Sequence, residues 1–267
     1  MTEYFLNNEI SYRTNSFVKD RKTIVFVHGL SGSCSAWYPY EPFFEQEYNI
    51  VMYDIRGHGN SKKYPLYTDY EIHSFAQDLQ KLLDYLEIQQ CIMVSNSFGT
   101  LIALEFIKEN QDRVIGNILT SPIIYLNEEP SATYMRGFLD ILTSILGLFP
   151  FQSKPRGRVD YAKHKNSTDW DIRRNLADMR NTTLRAHMHT LRQSLVLGQE
   201  YFVEKISIPT IIMHGEKDSM VPYKNAVLLA QKIPHAEFIS IPNIDHNTAH
   251  NAVGTIVAAI KKMCSTL

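Results

Sequence analysis

Residues 91–100 run Cys91-Ile92-Met93-Val94-Ser95-Asn96-Ser97-Phe98-Gly99-Thr100, followed by Leu101-Ile102-Ala103-Leu104-Glu105-Phe106. The first four residues form a short continuous apolar run, the mark of a strand buried on both faces, and the last six are helical in character. Ser97 therefore falls in a tight strand-to-helix turn. Such a turn holds a serine in a strained backbone, presents its hydroxyl at the sheet edge and aims the next amide at the same spot. Small residues two before and two after let strand and helix approach closely. Position 99 is glycine; position 95 is serine, where the G-x-S-x-G pattern has glycine. The bland alternative for Ser97 is a helix N-cap.

Outward from this turn the same strand signature recurs. It is found at Thr23-Ile24-Val25-Phe26-Val27, Ile50-Val51-Met52-Tyr53, Val114 to Leu119, Thr210-Ile211-Ile212-Met213 and Glu237 to Ile241. Helix-period segments lie between these runs: Phe75 to Leu86, the stretch after Ser97, the stretch after Pro222, and Asn247 to Met263. Tyr4-Phe5-Leu6, Asn7-Asn8 and Ile10 to Arg13 predict an opening hairpin. Alternating strand and helix predicts an α/β fold with a mostly parallel central sheet flanked by helices. Ligands of such sheets bind beyond the carboxyl ends of the strands, so chemistry is sought just after each apolar run.

One region breaks the alternation. Residues 122–205 lack a buried-strand run and carry helical patches at Ser131 to Leu148 and Asp169 to Leu197, around a turn region at Pro150 to Pro155. This predicts a helical insertion of some 80 residues, with the core formed by 1–121 and 206–267. The insertion's patches need the core to bury against.

Composition bounds the function. The 267 residues hold 27 Lys+Arg and 28 Asp+Glu, a net charge of −1, with 44% hydrophobic and 21% charged residues. That is the balance of a soluble globular chain, and it argues against a broad nucleic-acid-binding face. Residues 122–205 carry 12 Lys+Arg against 9 Asp+Glu, so the insertion is +3 and the remainder −4. Cys34, Cys91 and Cys264 have neither disulfide-framework nor zinc-like spacing, which fits a cytoplasmic protein with reduced thiols. The start of the chain has Glu3 where an export signal would be basic. The most apolar run, Phe138 to Phe151, is too short and interrupted to cross a bilayer.

At the strand ends, His28-Gly29-Leu30-Ser31-Gly32 offers a main-chain amide to the cleft. The amides of Leu30 and Phe98 together would make an oxyanion hole. Asp54-Ile55-Arg56-Gly57-His58-Gly59-Asn60-Ser61 follows the second buried strand, and Asp54 with Arg56 reads as an ion pair pinning that loop. His214-Gly215-Glu216-Lys217-Asp218 and Ile241-Pro242-Asn243-Ile244-Asp245-His246 follow the last two strands. The chain thus presents Ser97, Asp218 and His246 in the order serine, acid, histidine. A hydroxyl nucleophile needs an imidazole base, and the base needs a carboxylate to fix its tautomer. Glu216 stands nearer its strand and reads as structural; Asp245 reads as loop-shaping. His250 lies four residues after His246, on a possible shared helical face.

Taken together, His28-Gly29-Leu30, Asp54-x-Arg56-Gly57-x-Gly59-x-Ser61, the Ser97 turn, Gly215-x-x-Asp218 and Asp245-His246 make the chain resemble the α/β-hydrolase fold superfamily, of the capped serine esterase, lactonase and C–C hydrolase type. The resemblance covers nearly the whole length. It implies about eight strands, a helical cap inserted after the sixth, and no metal or organic cofactor. Ser97 is then the nucleophile, His246 the base, Asp218 its orienting acid, and the Leu30 and Phe98 amides the oxyanion hole. Activity is expected to fall as His246 is protonated. The expected reaction is hydrolysis of a small or medium carboxylic ester; C–C, lactone or thioester cleavage uses the same groups, and a slow, receptor-like ligand binder shares the fold. Phe138, Leu139, Leu142, Ile145, Leu146 and Leu148 either line an acyl pocket or pack on the core. Lys154, Arg156, Arg158, Lys163 and Lys165 form either an anion-facing cluster or a solvated face.

Overall fold

The computed structural model describes residues 1–151, 157–196 and 200–267, with the side chains of residues 200 and 201 left aside. Eight strands form one sheet: β1 (Thr2–Leu6), β2 (Ile10–Thr14), β3 (Thr23–Val27), β4 (Asn49–Tyr53), β5 (Cys91–Asn96), β6 (Val114–Thr120), β7 (Thr210–Gly215) and β8 (Glu237–Ile241). Their order across the sheet is β1-β2-β4-β3-β5-β6-β7-β8. The β1–β2 hairpin and the β2–β4 pair are antiparallel, and every other pairing is parallel. Asn7 and Asn8 turn the hairpin with φ of 50° and 57°, a left-handed conformation that asparagine tolerates.

The helices are α1 (Glu41–Phe44), α2 (Ile72–Tyr85), α3 (Phe98–Asn110), α4 (Ala132–Gly147), α5 (Ile172–Thr182), α6 (Leu184–Ser194), α7 (Glu200–Val203), α8 (Tyr223–Lys232), α9 (Thr248–Asn251) and α10 (Val253–Thr266). Because successive strand residues point to opposite faces, the continuous apolar runs feed two cores. Val25, Val27, Val51 and Met93 pack with α2, α3 and α8 on one face. Ile24, Phe26, Met52 and Val94 pack with Trp37, Tyr40 and α10 on the other. Among the described residues no helix is long and apolar enough to cross a membrane.

Helices α4 to α7 all lie between β6 and β7. The long helical patch expected over 169–197 is two helices, α5 and α6. They break at Thr183, whose backbone leaves the helical region and whose side chain accepts the Ala186 N–H as an N-cap. The apolar face of α4 does not line the cavity described below. Leu139 packs with Ala132 and Leu195, whereas Phe138, Ile145 and Leu148 are exposed.

The expected Asp54–Arg56 pair is not formed. Arg56 instead makes a bidentate ion pair with Asp78 on α2, at 2.7 and 2.8 Å. Asp54, fully buried, accepts from Arg158 Nε at 2.9 Å and from the backbone N–H of Cys34 and Asn60. Each side chain thus finds its partner in another element, Asp54 in the stretch before α5 and Arg56 in α2. Arg158 is thus no part of a solvated basic face; Lys163 is exposed and paired with Asp160, and Lys154 and Arg156 lie outside the described residues. Arg158→Ala leaves a buried carboxylate without its cation, which costs about 3 kcal/mol. The thermal midpoint is expected to drop on the order of 10 °C, as differential scanning calorimetry will measure.

Candidate active site

The turn after β5 holds Ser97 at φ 50° and ψ −121°, outside the regions a serine favours. The fold enforces this conformation from both sides. Ser97 N–H donates to Thr120 O at 3.0 Å, extending the β5–β6 ladder, and its carbonyl accepts from Thr100 N and Thr100 Oγ1 at 2.9 and 2.6 Å. At Gly99 a Cβ would stand 2.5 Å from Val27 O, so only glycine lets α3 start this close to the end of β3. Ser95 is buried, with its hydroxyl donating to Ile118 O. The side chain of Ser97 makes no capping bond to its helix; it points to the loop after β8.

Ser97 Oγ lies 2.8 Å from His246 Nε2, and His246 Nδ1 lies 2.7 Å from Asp218 Oδ2. With Nδ1–H donating to the carboxylate, Nε2 is left to accept from the serine hydroxyl. The Asp218 carboxylate is also held by its own loop, since Oδ1 accepts from Met220 N and Val221 N at 2.9 and 2.8 Å. Burial alone would raise the Asp218 carboxyl, but the His246 bond and charge and the Val221 N–H outweigh it and hold the carboxyl below its ordinary value. The loops after β7 and β8 meet because Gly215 is bare: a Cβ there would stand 2.3 Å from Ile244 O.

The other candidates sort around this chain of three. Leu30 lines the same cavity as Ser97 and His246. Its neighbour Gly29 lies so close to the turn that a Cβ would be 3.0 Å from Ser97 Cβ. Phe98 opens α3, so its N–H has no carbonyl four residues back to bond within the helix. Glu216 is exposed and accepts from Ser240 Oγ, and Asp245 accepts from Asn247 N. His250 does not share a face with His246: it stacks on Tyr161 at 4.0 Å, away from Ser97.

The cavity over Ser97 measures about 310 Å³. Its walls include residues the sequence did not single out: Arg174, Asp178, His187 and Asn247, with Met179 and Met220. Arg174 pairs with Asp178 at 3.0 Å, and Tyr161 OH donates to the other Asp178 oxygen. A larger cleft of about 750 Å³, lined by Tyr38, Arg158 and Lys165 among others, contains neither Ser97 nor His246. Helices α5 and α6 also grip the loop that carries Leu30. His187 Nδ1 meets Ser31 Oγ, Asn181 Nδ2 donates to Ser31 O, and Gly59 N donates to Asn181 Oδ1. His214, at the end of β7, approaches the Asp218 carboxylate at 3.2 Å.

Several buried groups here titrate away from their ordinary range. Burial holds His28 and His187 down to about 4, and His250 to about 3. His28 is visibly neutral, since Nε2 accepts from Ile55 N while Nδ1 donates to Gly29 O. Burial raises Asp178 to about 7 against the charge of Arg174 and the Tyr161 bond. Between about pH 4 and 6.5 the unfolded chain protonates these histidines and the folded one does not, so stability is lost as pH falls through 6.5. Asp178 acts in the opposite sense, its contribution fading as pH rises from about 4 to 7. Three groups outweigh one: the thermal midpoint at pH 5 should lie several degrees below that at pH 7.5. A higher midpoint at pH 5 would contradict the assignment of neutral histidines.

Comparison with known proteins agrees with the architecture. A family model described as the alpha/beta hydrolase fold matches residues 22–252. A proline iminopeptidase of Arabidopsis thaliana is 25% identical, over 94% of this chain and 76% of that protein. A putative carbamate hydrolase of Pseudomonas syringae is 26% identical, over 82% of this chain and 85% of that one. Among solved structures, an alpha/beta hydrolase from a Medee basin deep-sea metagenome superposes with a TM-score of 0.76 at 20% identity, covering 99% and 97% of the two chains. An N-acyl homoserine lactone degrading enzyme, Est816, superposes with a TM-score of 0.73 at 23% identity over 95% and 96%.

Proposed function

This chain belongs to the alpha/beta hydrolase fold family, and from that premise we propose that it hydrolyses a small carboxylic ester through an acyl-enzyme on Ser97. The observation that carries this is the unbroken line of hydrogen bonds Ser97–His246–Asp218, with bonds of 2.8 and 2.7 Å. The helices of 122–205 act as its cap.

Ser97 Oγ attacks the substrate carbonyl carbon while His246 Nε2 takes the hydroxyl proton. The carbonyl oxygen becomes an oxyanion, accepted by the N–H groups of Leu30 and Phe98. The tetrahedral species collapses, the bond to the alcohol breaks, and His246 gives its proton to the leaving oxygen. Water, deprotonated by His246, then cleaves the acyl-serine to a carboxylic acid and restores the hydroxyl. Asp218 holds the imidazole in the required tautomer throughout.

Cavity size bears on the acyl group. About 310 Å³ is at the low end of small-molecule sites, which favours short acyl chains over medium ones. A second reading, cleavage of an amide-type bond, draws on the curated relatives named a proline iminopeptidase and a putative carbamate hydrolase. Initial rates on p-nitrophenyl acetate, butyrate and octanoate, on proline p-nitroanilide and on a simple lactone separate these readings. The ester reading expects the acetate or butyrate to be fastest. Faster turnover of the anilide sinks it in favour of the second.

A further inference from the structure

We infer that Asp169, which lies in the insertion just before α5, is a positioning residue that clamps together the two loops carrying Asp218 and His246. The inference rests on the reading of Ser97, His246 and Asp218 given above. Asp169 is only 2% exposed, and its carboxylate accepts four hydrogen bonds. Oδ1 accepts from His246 N at 2.9 Å and Asn247 Nδ2 at 3.3 Å; Oδ2 accepts from Ser219 N at 3.0 Å and Ser219 Oγ at 2.8 Å. One oxygen thus holds the loop after β8 at the backbone of the base itself. The other holds the loop after β7 one residue beyond the acid.

The neighbouring residues tie the same stretch to the same loops. Trp170 Nε1 donates to Ser219 Oγ at 2.9 Å, and Ser167 O accepts from Asn247 Nδ2 and Asn251 Nδ2. The Asp169 carbonyl accepts from Arg174 Nη2 and Asn175 Nδ2, fixing Asp169 to the first turns of α5. The contacts with the two loops span 49 to 84 residues of sequence. All four donors to the carboxylate are uncharged, and the Arg174 guanidinium reaches only the Asp169 backbone carbonyl, at 3.4 Å. A carboxylate bonded to the His246 backbone places negative charge close to the imidazole that becomes positive in the transition state. The charged and titratable groups around His246, besides Asp169, are Asp218 on the loop after β7, His214 behind Asp218, Asp245 next in sequence, and Arg174, Asp178 and His187 across the cavity.

Two effects follow from losing the clamp. Displacement of a base by about 1 Å costs on the order of 100-fold in rate. Removing the charge also disfavours the imidazolium. The experiment is steady-state kinetics of Asp169→Asn across pH on the best substrate from the panel above, with Ser97→Ala assayed alongside. Asparagine keeps one acceptor oxygen but places an NH₂ against either Ser219 or His246. Expected are a 10- to 100-fold fall in kcat, a KM within about twofold, and an acid limb of the pH profile moved to lower pH by a few tenths of a unit. A uniform loss with the limb unmoved, or unchanged kcat in the folded variant, overturns the inference. Should Asp169→Asn not fold, Ser219→Ala at the exposed end of the clamp decides: a fewfold lower kcat at constant KM supports it, wild-type kcat refutes it. Retained activity in Ser97→Ala would instead strike the underlying reading of the site, whatever Asp169 does.

Discussion

Ser97→Ala lowers kcat by a factor of about 10⁴ to 10⁶ and leaves the thermal midpoint within a few degrees of the parent. Both halves of this expectation come from the same geometry. The Ser97 hydroxyl bonds to His246 rather than to its own helix, so the fold loses little when it goes. The turn is held by the backbone bonds to Thr120 and Thr100 and by the bare backbone at Gly99, all of which alanine preserves. Alanine tolerates the positive φ about as poorly as serine, so no new strain is added. Fluorophosphonate labelling supplies the direct measurement: the parent is labelled stoichiometrically and Ser97→Ala is not. Equal labelling of the two proteins would remove Ser97 from the reaction. Because the three side chains act as a unit, a Ser97→Ala, His246→Ala double variant should be scarcely slower than either single one.

The parts of this site that a sequence can reveal are those set by local pattern. A short, continuous, β-branched-rich apolar run bounded by turn signals reads as a buried strand, and the end of a parallel strand is where polar side chains meet a cleft. Ser97, Asp218 and His246 all stand at such ends, and their hydrogen bonds link positions that the alternation of strand and helix had already brought to one edge. Residues 122–205 carry no such guide. Helical periodicity tells which face of a helix is apolar, but not which loop that helix crosses. Asp169, Asn181 and His187 therefore looked like ordinary polar residues of helical patches, although they bond to Ser219, His246, Gly59 and Ser31. For the same reason the pattern leaves open whether the apolar face of α4 lines a pocket or packs on the core; Leu139 packs, while Phe138, Ile145 and Leu148 are exposed. Asp54 and Arg56 show the converse error, since nearness in sequence suggested a pair where Arg158 and Asp78 are the true partners.

The insertion is thus more than a cover. Asn181 and His187 hold the loop of Leu30, while Asp169 holds the loops of Asp218 and His246. The loops after β3, β7 and β8 each have a partner in α5, α6 or the segment just before them, whereas the Ser97 turn is held by Thr120 and Thr100. On the proposed reading, substrate specificity and the alignment of the reacting groups would depend on the same helices, and changes in one are expected to disturb the other.

Asp218→Asn should cost about 10⁴ in kcat with almost no loss of stability, a pairing that few substitutions at a buried acid produce. The surroundings dictate which way the new amide turns. Met220 N and Val221 N both donate to Oδ1, at 2.9 and 2.8 Å, so the asparagine carbonyl oxygen must take that place. The NH₂ then replaces Oδ2, facing His246 Nδ1 and His214 Nε2, which lie 2.7 and 3.2 Å from that position. His246 Nδ1 accepts from the amide once its proton sits on Nε2, while His214 Nε2 goes on donating toward Val221 O at 3.3 Å, so the amide keeps one bond and the loop its shape. His246, however, is forced into the tautomer with its proton on Nε2, and Ser97 faces a donor where it needs a base. Asp218→Ala differs in an informative way. It strands the part-buried Val221 N–H, which costs about 1 to 3 kcal/mol, while the exposed Met220 N–H turns to water, so rate and stability fall together. Measuring kcat and thermal midpoint for both variants separates the two roles of the carboxylate. If Asp218→Asn keeps more than a tenth of the parent rate, the orienting acid is not Asp218.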